Sequence, residues 1–137
     1  MADYFTHFSC LLDVGTAENA RIALDLYNSL SEDTEQDFRP SDGFNLAIDP
    51  SSPTQLWIYD DCSGDPEIVI QFVLNCAERL DLKGLWGFEY ANTCSKARVD
   101  AFGGGAHIID LGARQSIGWI STNEWLTEAL SGDLADV

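Results

Sequence analysis

Basic residues are scarce in this chain. Seven Lys and Arg stand against 23 Asp and Glu over 137 residues, a formal net charge of -16. Phosphate contact draws on clustered Lys and Arg, so direct nucleic-acid binding is not expected. The same shortage argues against adsorption to an anionic membrane. No run reaches the roughly 18 apolar residues that span a bilayer. The longest apolar window, 68–77, is interrupted by Gln71 and Asn75 and reads as a buried helix. The N-terminus, Met1-Ala2-Asp3-Tyr4-Phe5, shows neither a basic segment nor a long apolar one, so no secretory signal is expected. Cys10, Cys62, Cys76 and Cys94 form no C-x-x-C pair and have no His at zinc spacing, which points to reduced thiols in a cytoplasmic protein. No metal and no cofactor are expected.

Apolar material is plentiful by contrast. With 45% hydrophobic and 11% aromatic residues, the chain can build a packed core as one domain over 1–137, with 131–137 as a frayed tail. Alternation predicts a strand over 4–13. Thr16 then caps a helix reaching about Leu30, with Ala20, Ala23, Leu24, Tyr27 and Leu30 on one stripe. A polar loop over 31–42 leads to strands over 43–49 and 55–60. Asp65-Pro66-Glu67 is a helix start, with an acid at the cap and proline in the first turn. That helix presents Val69, Phe72, Val73, Cys76 and Leu80, and Lys83-Gly84 ends it. A strand over 85–91 and an irregular stretch over 92–104 precede two short strands, 106–111 and 116–120. Ser121-Thr122-Asn123-Glu124 reads as a capping box for a last short helix. The order predicts an α+β fold with a ferredoxin-like β-α-β-β-α-β core and an added C-terminal β-hairpin and short helix.

Three local features raise chemistry. The turn 60–67 holds Asp60, Asp61, Asp65 and Glu67, but its spacing does not match a calcium loop, and two of the acids already serve a helix start. Gly103-Gly104-Gly105 lacks the lysine and following helix of a phosphate loop, so it reads as a turn needing positive φ. Cys94 with His107, oriented by Asp100 or Asp110, is the one nucleophile constellation available, with Lys96 and Arg98 as possible pKa-lowering neighbours. No cysteine-hydrolase signature surrounds it, and no catalytic set is assigned. His7 reads as a sheet histidine. Trp57, Tyr59, Trp86, Phe88 and Tyr90 could stack bases on one shared sheet. Without cations to hold a backbone, they suit core packing or a protein partner.

Charge layout says more than its sum. Residues 13–67 hold thirteen acids against Arg21 and Arg39, while 78–114 hold five acids and five bases. Asp33, Glu35, Asp37, Asp60, Asp61, Asp65 and Glu67 are therefore candidate partner-binding residues for a basic protein. A carboxylate-rich surface can imitate duplex phosphate, whose charges recur about every 1.7 Å. Solubility alone is the competing explanation.

The runs Trp86-Gly87-Phe88-Glu89-Tyr90-Ala91-Asn92-Thr93-Cys94-Ser95 and Phe102-Gly103-Gly104-Gly105-Ala106-His107 resemble a group of small acidic uncharacterised proteobacterial proteins, some on plasmids or phage-derived segments. The resemblance carries no catalytic residue set. It implies a mobile-element setting, in which acidic proteins that block host defence nucleases occur. The function expected is thus non-enzymatic acidic binding, with nucleic-acid mimicry as its sharpest form. The alternatives are a small cysteine-dependent enzyme using Cys94 and His107, and a structural or oligomeric accessory protein.

Overall fold

The opening strand, expected as one run over 4–13, divides at Phe8 into β1 (Tyr4–His7) and β2 (Ser9–Asp13). The cause is Asp60, distant in sequence. Its carboxylate accepts the Phe8 N–H at 2.8 Å, and its own N–H donates to the Phe8 carbonyl at 3.2 Å. The Phe8 ring is buried edge-on to Phe88, with centroids 6.1 Å apart. On either side of this residue the chain pairs with a different sheet.

The computed structural model describes residues 3–33, 35, 39–99 and 101–132. After β2 come α1 (Ala17–Glu32), a 3-10 turn (Pro40–Asp42), β3 (Asn45–Ile48), β4 (Gln55–Tyr59) and α2 (Pro66–Leu80). Then follow β5 (Leu85–Cys94), β6 (Gly103–Asp110), β7 (Gln115–Ser121) and α3 (Thr122–Ser131). The architecture is α+β, with three α-helices and two antiparallel sheets among the described residues. One sheet is ordered β1-β5-β6-β7 and the other β2-β4-β3. The single central sheet of the expected core is thus two ladders sharing one chain segment.

Helix starts follow local chemistry. The Thr16 hydroxyl accepts the Asn19 N–H at 3.0 Å, and the Asp65 carboxylate accepts the Glu67 N–H at 3.0 Å ahead of Pro66. Both bonds satisfy donors that a helix leaves unpaired in its first turn. The far end of α2 differs from expectation. Asp81 takes the left-handed conformation at φ 52°, and Gly84, at φ 95°, instead starts the approach to β5. Ser121 sits at the N-cap of α3 but makes no side-chain cap bond, so the expected box does not form.

The core lies between α1, α2 and the three-stranded sheet. Phe44, Phe72 and Tyr27 pack ring to ring at 5.3–5.9 Å, flanked by Leu12, Leu56, Ile58 and Val73. The Tyr27 hydroxyl donates to the Phe44 carbonyl at 2.6 Å, which satisfies the polar end of a buried ring. Phe88, Ile109 and Leu111 extend this core into the four-stranded sheet.

Candidate functional site

Residues opposite one another in an antiparallel ladder share a face, and neighbours along a strand alternate. In the four-stranded sheet, Phe88 opposes His107, which opposes Trp119. Their rings form a row, 6.5 Å and then 6.0 Å between centroids. Cys94 is at the other end of β5, paired with Tyr4 and six positions beyond Phe88. Six strand residues span about 20 Å, so Cys94 and His107 are far outside hydrogen-bond reach. Asp100 lies outside the described residues. Asp110 is engaged at the hairpin, where its carboxylate accepts the Ala113 N–H at 3.1 Å. The structure does not bring the nucleophile constellation together.

His107 has a simpler environment. Its Nε2 is buried and has no hydrogen-bond partner. Burial lowers its pKa from 6.5, partly opposed by the charge of Glu67. Burial pushes Cys10 and Cys76 up to about 12; Cys76 is a buried core thiol, and Cys10 is half-buried with its Sγ near the Ile58 carbonyl.

The glycine run lies in β6 rather than in a turn. Only Gly103 has positive φ, at 155°, while Gly105 is opposite Tyr90, whose ring occupies the space a Cβ would need. The aromatics also separate. Trp57 and Tyr59 stack at 4.0 Å on the three-stranded sheet, whereas Trp86, Phe88 and Tyr90 belong to the four-stranded one. An open groove of about 620 Å³ runs along the Phe88, His107 and Trp119 row, lined also by Gly87, Ala106 and Gly118. Ile108, Ile120 and Glu89 border it, and Ser9 and Cys10 close one end.

The acidic candidates divide into two kinds. Asp60 is structural: its carboxylate takes N–H groups from Phe8 and Cys62 at 2.8 Å and meets His7 Nδ1 at 2.9 Å. Its side chain is only 14% exposed. Burial raises its pKa, but the bonds from Phe8, Cys62 and His7 outweigh that and leave it lowered. Asp65 caps α2. Asp33, Glu35, Asp61 and Glu67 are exposed, and Asp37 lies outside the described residues. A row that sequence reading missed runs along α1, where Glu18, Asp25 and Glu32 are exposed at seven-residue intervals. That spacing was visible as a signal, since seven residues are nearly two helical turns and rise about 10.5 Å.

Exposed apolar side chains gather elsewhere. Trp119, Trp125 and Leu130, all on β7 and α3, are open to solvent. The apolar stripe of α3 was legible, but a stripe does not reveal that none of the helix's residues is buried. No described helix is long and apolar enough to cross a membrane. Among the described residues, no group of three or more His, Cys, Asp or Glu is placed to hold a metal ion.

Comparison with known proteins gives no match. No family model, no curated protein and no solved structure is similar to this chain.

Proposed function

We propose that this protein works by binding, and that its acid-rich unit, residues 13–67, engages a basic protein in the cytoplasm. The carrying observation is the exposed row Glu18, Asp25 and Glu32 along α1, continued past the helix end by Asp33 and Glu35. Asp42, Asp61 and Glu67 add carboxylates on the same unit. A basic groove that normally holds nucleic acid is the natural complement, and long-range attraction speeds such encounters. The α1 row alone is about six times sparser than duplex phosphate. Mimicry therefore rests on the whole unit rather than on a matched spacing. A mobile-element setting and a defence nuclease as target belong to the same proposal.

The finer fold reading is also proposed here. Taken across both ladders, the order β5, β1 with β2, β4, β3 supports a ferredoxin-like core whose first strand is broken at Phe8.

The test is capture of DNA-binding proteins from a host lysate on the immobilised full chain. Captured proteins should elute steeply between about 50 and 200 mM salt and be displaced by duplex DNA. Their retention should drop with the triple variant Glu18→Gln, Asp25→Asn, Glu32→Gln and persist with Glu78→Gln. Retention indifferent to salt, to duplex and to the triple variant would sink the proposal.

A further inference from the structure

His7, at the end of β1, has both ring nitrogens engaged. Nδ1 meets Asp60 Oδ2 at 2.9 Å, and Nε2 meets Thr93 Oγ1 at 3.1 Å. Asp60 also accepts the Phe8 and Cys62 N–H groups at 2.8 Å, which fixes where its carboxylate points. A hydroxyl, an imidazole and a carboxylate are thus joined in one chain of hydrogen bonds. Separations of 53 and 86 residues keep them out of any one sequence window.

The bonds also place the protons. Asp60 is held below the ordinary carboxylate range by its amide and His7 bonds, so near neutral pH it is ionised and only accepts. Nδ1 therefore carries the imidazole hydrogen, and in the neutral ring Nε2 is left as an acceptor. The Thr93 hydroxyl must then donate to Nε2. A hydroxyl donating to a base that a fixed carboxylate orients is the arrangement of a hydrolase relay, recognised by geometry and not by order in the chain.

Solvent reaches this group. The His7 side chain is 38% exposed and Thr93 is half-buried. Ala91, opposite His7 and two residues from Thr93, is exposed and places only a methyl on the same face. Phe5, opposite Thr93, stacks on the imidazole with centroids 6.0 Å apart and offers an apolar wall. The net charge of -16 repels anionic substrates. A base relay contributes about 10²–10⁴-fold, which suits an activated leaving group rather than a peptide bond.

We propose that Thr93 is a nucleophile, His7 its general base and Asp60 the positioning residue, in the hydrolysis of neutral aryl esters. Thr93 Oγ1 bonds to the ester carbonyl carbon while its proton passes to His7 Nε2. The bond to the leaving oxygen breaks, the phenol departs with that proton, and the acyl group stays on Thr93 as an ester. Water then attacks the acyl carbon and gives a proton to His7. The carboxylic acid leaves as that proton returns to Thr93 Oγ1. This activity goes beyond the binding proposed for 13–67 and uses none of its exposed acids.

Release of p-nitrophenolate from p-nitrophenyl butyrate by the full chain tests this, with intact and peptide mass spectra of the quenched reaction. Saturable turnover above the buffer rate is expected, with a butyryl adduct on Thr93. Thr93→Val and His7→Ala should each lower kcat about 100-fold or more, while Thr93→Ser retains turnover. Asp60→Asn should lower kcat about 10-fold or more with KM unchanged, since the amide no longer orients Nδ1–H. Turnover no faster than buffer overturns the proposal, as does turnover that Thr93→Val leaves intact. Should a variant fail to fold, the adduct on the natural chain decides. An adduct on Thr93 supports the assignment; no adduct, or one only on another side chain such as the exposed Cys62 thiol, overturns it.

Discussion

The two sheets differ in what they do with their side chains. The three-stranded sheet has α1 and α2 packed on one face, holds the ring cluster Tyr27, Phe44 and Phe72, and carries most of the charge excess. The four-stranded sheet buries Phe88 and Ile109 near its join with the other, then runs out to an uncharged edge and a helix with nothing buried. One unit is thus stable and acidic, while the outer part of the other is apolar and contributes little to the core. Stability and charge go together here, and apolar exposure is set apart from both.

The contrast can be broken most directly in the core. Phe72→Ala should destabilise the protein by about 3–5 kcal/mol in urea unfolding, while Trp119→Ala should stay within about 0.5 kcal/mol. Equal losses would mean that the outer strands are as tightly integrated as the core. At the join, Asp60→Ala leaves the Phe8 and Cys62 amides without their acceptor, an expected cost of about 1–3 kcal/mol. Asp61→Ala, on the exposed side of the same turn, should cost less than about 0.5 kcal/mol. Similar values for both would remove the distinction between a structural acid and a surface one.

Helix caps sharpen the comparison at a smaller scale. Thr16→Ala should cost about 1 kcal/mol, because the hydroxyl satisfies the Asn19 amide. Ser121→Ala should leave thermal unfolding unchanged, since Ser121 makes no cap bond. The smallest effect is in pH dependence. His107 has a lowered pKa, so its stabilising contribution is complete above 6.5 and is lost as pH falls through its folded value. Asp60 behaves alike lower down: its contribution is complete above 3.8 and fades below it. His107→Gln should flatten the stability profile below pH 6.5, and Asp60→Asn only below 3.8; a profile unmoved by either substitution contradicts the assignment.

What was legible in the sequence was local. The starts of α1 and α2 could be read because Thr16 and Asp65 bond within three residues of themselves. The charge division could be read because it is a property of segments. The break at Phe8 could not, since its cause lies in Asp60 and no window spans both. Trp57 and Trp86 looked alike by alternation, yet pairing places them on different sheets. Cys94 and His107 looked close along the chain, but β5 runs three residues further than expected and extends the strand between them. The exposure of α3 also escaped, because amphipathic spacing records what a helix can bury and not whether a surface meets it.

The single residue between β1 and β2 has a consequence for how the chain assembles. β5, β6 and β7 form from neighbouring hairpins, and Ser9 meets Trp57 across 48 residues, whereas Thr6 finds Asn92 only across 86. Closing a longer loop costs more chain entropy. β1, on the longer loop, therefore pays more to pair than β2, and the segment the two share is the latch that fastens the two sheets. Without it the remaining chain is an open clasp, and a peptide spanning 3–14 supplied in trans is the piece that should shut it.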